Sequence, residues 1–412
     1  MKNRYMLKEI TPIILNNIGY FPTALRVWHT LKNAKMVPVL DSEIPFRADG
    51  ISYVTHKERK DILGRADWLL KEVSVKDPEQ LIGKMPEIIG RQIQGEWAIY
   101  ACSMTAFALC NIIKLFPDTK DKYLHCIPEL IELVNTPTIR FYDTMLWKED
   151  AMETLDGNNS HMTYLSILAW MIGQYRLAGG DGRYDVLHRK LCDTLNRRMR
   201  QSRDLNLPSF PNGVVFLPDM MFCLLALKDY GKLYNGEFED TVSLWLQMAK
   251  NHWIDKKTGL LYSCYHRNRT AGRVSGAYAG LNCTGLAMLD EEFGREQFQI
   301  MKRTLGVQFG DEFEPYIAIK EYLHSSSKIS FDIDAGPVIY GLSPSGISFS
   351  MGAATYLGEW SFRKGLLATA ELGGHTVKSR NTRHYKLAEI MLTGEAITLA
   401  MRTMVNFDRI NK

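Results

Sequence analysis

The segment Phe331-Asp332-Ile333-Asp334-Ala335-Gly336-Pro337 sets two carboxylates two residues apart, just before a Gly-Pro step. In an extended backbone Asp332 and Asp334 point to the same side, because strand side chains alternate. Two acids sharing a site are driven to different pKa values, which yields one proton donor and one base. The Gly-Pro step also opens a long apolar segment. An acid there has a structural alternative, capping a helix start where the macrodipole favours negative charge. The small residues that follow, from Tyr340 to Ser350, suit close helix packing, with Ser343 placed to face a cavity.

A second cluster, Asp156-Gly157-Asn158-Asn159-Ser160-His161, opens another apolar segment, with Tyr164 one turn beyond Ser160. His161 is expected to move protons near neutral pH, with Asp156 orienting it or acting alone. Helix capping by this cluster, with a hydrogen-bonded histidine, is the structural alternative. Tyr142 and Asp143 are expected on a pocket wall, and Glu149 and Asp150 on an exposed outer loop. Glu96, Trp97 and Tyr100 lie at the start of a further apolar segment. Asn212 with Asp219, Ser275 with Tyr278, and His384 with Tyr385 occupy the starts of others. Each suits a structural role alone, but their recurrence at equivalent helix ends points to one shared polar cavity. Tyr265-His266-Arg267 is placed to grip an anion such as a uronate carboxylate, or to end a strand in solvent.

These residues need elements to position them. Long apolar segments begin near Glu96, Asn159, Gly213, Ser275 and Gly336, at intervals of roughly 55–65 residues. A more charged, amphipathic segment generally follows each one, and Tyr385 to Val405 closes the chain. A helix apolar nearly all round must be buried, and one with a single apolar face covers something. The alternation predicts an all-α fold, an (α/α)6 toroid of helical hairpins with inner and outer rings. Residues 1–55 read as an N-terminal arm packed on the ring or on a second copy, and residues 56–412 as a single barrel domain. Asp255 to Gly259 predicts a tight turn and Leu260 to Tyr265 a short strand, together a small β-hairpin insertion.

The Trp253, Asp255 and Thr258-Gly259-Leu260 spacing, set between helix pairs, resembles the six-hairpin (α/α)6 toroid enzymes. That group includes unsaturated glucuronyl hydrolases, other glycoside hydrolases, sugar epimerases and polysaccharide lyases. A more distant resemblance is to the linalool dehydratase/isomerase family, which shares the toroid. The first resemblance implies an enzyme acting on a carbohydrate, and the second a dehydratase or isomerase of a small alcohol. Neither assigns a catalytic residue to a position in this chain.

Composition narrows the field. Fifty basic residues against 46 acidic ones give a formal charge of +4. The charges are interleaved and the basic clusters short, so no nucleic-acid partner is expected. Seven cysteines without a CxxC pair suggest a reducing compartment rather than a disulfide framework. No secretory pattern and no membrane-spanning run are read, which favours a cytoplasmic protein. The sequence lacks GxxxxGK[ST], HExxH and GxSxG, and its ten histidines show no metal-ligand spacing. No metal or cofactor is therefore expected.

The leading expectation is a glycoside hydrolase-like enzyme taking a small molecule or an oligosaccharide. One of Asp332 and Asp334 would protonate the leaving oxygen, and Asp156 would activate water or attack. Trp97, Tyr164 and Tyr278 would offer faces to a sugar ring. A dehydratase would show an aliphatic, Met-rich pocket instead, and a non-catalytic helical scaffold would need no acids at all.

Overall fold

A computed structural model describes residues 21–39, 49–267, 272–310, 316–324, 329–332 and 336–410. Its longer helices are α1 (Phe21–Asn33), α2 (Asp49–Val73), α3 (Gly90–Leu115), α4 (Cys126–Val134), α5 (Pro137–Trp147), α6 (Met162–Leu177) and α7 (Asp185–Gln201). They continue with α8 (Leu217–Leu233), α9 (Glu239–His252), α10 (Gly276–Leu289), α11 (Glu291–Leu305), α12 (Pro344–Leu357), α13 (Trp360–Gly374) and α14 (Leu392–Arg402).

Helices α3, α6, α8, α10, α12 and α14 pack each against the next, and α14 returns to α3, which closes the ring. Around them lie α2, α5 with α4, α7, α9, α11 and α13. The architecture is the (α/α)6 toroid that the alternation predicts. The cause is visible in the side chains. Helix α6 is buried from Met162 through Tyr175, whereas α7 buries one stripe, His188, Leu191, Cys192, Leu195 and Met199. Those spacings of three and four residues mark a single apolar face.

Helix α3 departs from one expectation. By length and composition Gly90–Leu115 is apolar enough to cross a membrane, yet 83% of its most apolar window is buried inside the ring. The same all-round apolarity serves an inner helix equally well.

The Gly- and Ser-rich stretch serves helix packing. A Cβ on Gly280 of α10 would lie 2.9 Å from the Ser350 backbone nitrogen of α12. Only a missing side chain allows that approach. Ser343 caps α12, accepting a 3.0 Å hydrogen bond from the Gly346 N–H.

Nine short strands decorate the ring, at β1 (Val37–Pro38), β2 (Val214–Phe216), β3 (Cys264–His266), β4 (Gly306–Phe309), β5 (Tyr316–Ile319), β6 (Ile329–Asp332), β7 (Gly336–Ile339), β8 (Thr376–Lys378) and β9 (Arg383–Tyr385), among the described residues. All pairings between them are antiparallel: β1-β4-β5, β2-β3, β6-β7 and β8-β9. One expectation is extended here and one changes. The chain does fold back at the Asp255–Gly259 turn, through an antiparallel Ile254–Leu261 bridge, and the strand beyond it, Cys264–His266, also pairs with Val214–Phe216. The segment from Gly336 is strand β7, and the helix starts only at Pro344. A partner as distant in sequence as Val214–Phe216 is from Cys264–His266 leaves no local periodicity to read.

Helix α2 runs across the boundary between residues 55 and 56, and α1 packs on α13.

Candidate active site

A cavity of about 270 Å3 lies where the inner helices begin. It is walled by the second and third turns of α3 (Glu96, Trp97, Tyr100) and the first turns of α8 (Pro218, Asp219) and α10 (Tyr278). The starts of α12 (Ser345, Ser348) and α14 (Thr393, Glu395, Thr398) complete the ring side. The remainder is chiefly aromatic and aliphatic: Phe210, Phe216 and Tyr385, then Ile339, Leu372 and Met391 among others. Phe216 meets Tyr278 edge to face at 5.2 Å. Ligand pockets commonly span about 300–1,000 Å3, so this one suits a single small molecule.

Two carboxylates, Asp219 and Glu96, line this space. Asp219 sits in the first turn of α8, where the helix dipole favours an anion. Thr163 Oγ1 donates to Asp219 Oδ2 at 2.9 Å, and the Ser209 hydroxyl donates as well. Burial nevertheless outweighs both donors and pushes its pKa up to about 6. Glu96 joins it from α3. Behind Gly95 stands Tyr142, 4% exposed, whose hydroxyl is buried without a hydrogen-bond partner among the described residues. Burial raises that phenol well above its usual range, and the charges of Asp143, Glu96 and Asp219 act in the same direction. A third acid, Glu395, is already committed. It accepts from Arg65 Nη1 at 2.7 Å and from the Tyr385 N–H at 2.8 Å.

Of the residues singled out in the sequence, Glu96, Trp97, Tyr100, Asp219, Tyr278 and Tyr385 line the cavity. The expected acid set does not assemble there. Asp156 is exposed on the turn before α6, and Asp334 lies outside the described residues. Asp332 faces Gly336 across the β6-β7 ladder and accepts from the Tyr322 hydroxyl at 3.0 Å, with Arg273 3.9 Å away. Among the described residues, neither Asp156 nor Asp332 lines the cavity. The β7 strand explains the displacement of Asp332: the acid precedes a hairpin strand, not a helix end.

His161 is fully buried and starts α6 in a left-handed conformation, φ +44°. Its Nδ1 lies 2.6 Å from Asp143 Oδ2 and its Nε2 3.1 Å from Glu149 Oε1. Burial raises the Asp143 carboxyl against the pull of this imidazole. Hydrogen bonds from His161 and the side chain of Asn159 hold Glu149 low. Glu149 is thus a latch residue rather than a loose loop charge. Arg198 ties down the same loop, donating to the carbonyls of Thr154 (2.7 Å), Ser160 (3.0 Å) and Gly157 (3.1 Å).

Tyr164, Asn212, His266 and Ser343 lie outside the cavity lining. Tyr164 donates to Asn135 Oδ1 at 3.3 Å, and the exposed Asn212 accepts from the Val214 N–H at 3.2 Å. His266 lies on β3 away from the cavity lining. Beside it, Arg267 donates to Ser202 Oγ at 2.7 Å and is 3.3 Å from Asp204. Ser343 is fully buried in its cap. Sequence reasoning missed Phe210, Phe216 and the wall formed by Val27 and Leu31 of α1. Asp219 carried a legible signal, an acid in the first turn of an apolar helix; the α1 wall carried none. All seven cysteines are free, and the described residues contain no group of three or more His, Cys, Asp or Glu that could hold a metal ion.

The sequence matches no family model, and no curated protein matches it. Among solved structures the chain is similar to a family 105 glycoside hydrolase of C. acetobutylicum ATCC 824. The identity is 15%, the TM-score 0.44, and the match covers 73% of this chain and 92% of that one. The toroid assignment stands on this chain's own ring closure.

Proposed function

We propose that this protein is a glycoside hydrolase-like enzyme that cleaves a carbon–oxygen bond by acid/base catalysis with Asp219 and Glu96. The observation that carries the reading is the convergence of these two acids, from separate inner helices, on one cavity. Asp219, protonated below about pH 6, gives its proton to the leaving oxygen as the anomeric bond breaks. Glu96 takes a proton from the water whose oxygen bonds to the anomeric carbon. Tyr100, Trp97 and Tyr278 offer ring faces to the sugar. The acids first expected, Asp332, Asp334 and Asp156 with His161, have no role in this scheme.

The aliphatic part of the lining favours a second reading, dehydration or isomerisation of a small alcohol by the same two acids. Asp219→Asn and Glu96→Gln, assayed with a panel of 4-nitrophenyl monoglycosides, test the first. Each substitution is expected to lower turnover at least about 100-fold. Undiminished turnover in both variants overturns it, and alkene release from an alcohol without glycoside cleavage selects the second.

A further inference from the structure

The cavity is divided. Asp219 and Glu96 line it from α8 and α3, whereas the lining from α1, α13 and residues 387–391 is mostly aliphatic, with Glu395, held by Arg65, beyond it on α14. Val27 and Leu31 come from α1, and Leu372, Leu387 and Met391 line the same space beside them. A ring carrying many hydroxyls would leave several of them unpaired against that wall, at a cost for each. An alkyl or aryl group would instead exchange water for apolar contact. The volume of about 270 Å3 suits one ring and a short apolar group.

We infer that the ligand is a small amphiphile: one hydroxylated ring at Glu96 and Asp219, carrying an apolar aglycone that lies against the α1–α13 wall. In chemical class it is a monoglycoside of an alkyl or aryl alcohol, not an oligosaccharide. The inference rests on the catalytic reading for the placement of the head group. The tail site stands on the lining alone.

The test is calorimetric titration of the whole chain with n-alkyl glucosides of both anomers, from methyl to octyl. Cellobiose and n-hexanol serve as comparison ligands. Binding is expected to tighten about fourfold for each added methylene, then level off once the wall is covered. Leu31→Asn, and separately the nearly isosteric Val27→Thr, should flatten that series and leave methyl glucoside affinity unchanged. A flat series in the unsubstituted protein overturns the inference. So does cellobiose binding as tightly as hexyl glucoside, or hexanol equalling it, since the head group would then go unrecognised. Asp219→Asn separates the two readings: loss of turnover with an intact chain-length series upholds both. Retained turnover with an intact series removes only the catalytic assignment.

Discussion

Asp143 and Asp219 are both acids drawn out of water by the ring, and burial raises both, yet the molecule treats them differently. Asp143 is answered at 2.6 Å by His161, and Glu149 closes the far side of the imidazole at 3.1 Å. That arrangement clamps the 148–161 loop to α5 and the start of α6. Asp219 is met by the hydroxyls of Thr163 and Ser209, and it opens onto a cavity. An acid gripped by a buried imidazole that a second carboxylate also holds is fixed in place. One held by neutral donors keeps a proton that can be given away near neutral pH.

The largest expected effect falls on Asp219. Asp219→Asn should reduce turnover by roughly 10²–10⁴-fold, measured as kcat on the best monoglycoside. It should also remove a descending limb near pH 6 from the kcat profile. The same substitution should change stability in the opposite direction. A folded-state pKa of about 6 lies above the unfolded value of about 3.9, so stability declines as pH rises through that window. Asn abolishes the decline, worth at most about 3 kcal/mol, and thermal midpoints of the variant should exceed those of the parent at pH 8 but not at pH 3.5.

His161→Ala breaks the other half of the comparison. It strands a buried Asp143 and should cost about 3–5 kcal/mol in denaturant unfolding, while kcat per folded molecule holds. A fall in kcat to match Asp219→Asn would erase the distinction between the two acids. Thr163→Val sharpens it. Loss of this donor should move the pH 6 limb upward, by up to about one unit. Tyr142→Phe is the mildest. It deletes a buried hydroxyl without a partner among the described residues, so unfolding free energy should rise or stay within about 1 kcal/mol. A clear loss of kcat there would add Tyr142 to the cavity machinery.

Legibility in the sequence followed the range of the interactions. Apolar periodicity is a local property, and it marked the inner helices Gly90–Leu115, Met162–Leu177 and Leu217–Leu233 closely enough to call for a ring. The recurrence of polar residues at helix starts was legible for the same reason, which is why Glu96, Trp97, Tyr100, Asp219 and Tyr278 stood out and do share one cavity. The density of chemistry-bearing types misled. Asp156 with His161, and Asp332 with Asp334, are conspicuous in sequence, yet their described members hold a loop, an exposed turn and a hairpin edge.

The amino-acid order alone determined the hairpin repeat and its apolar inner ring, because a helix without a polar face is stable only out of water, and the amphipathic segment after each one supplies a face to cover it. Tertiary structure decided which acid faces the cavity and which faces a histidine. It also decided that α1, more than three hundred residues away in sequence, supplies the wall beside Leu372 and Leu387. A carboxyl's role depends on the charges, dipoles and water within a few ångströms of it, and ring closure brings those neighbours from all around the chain.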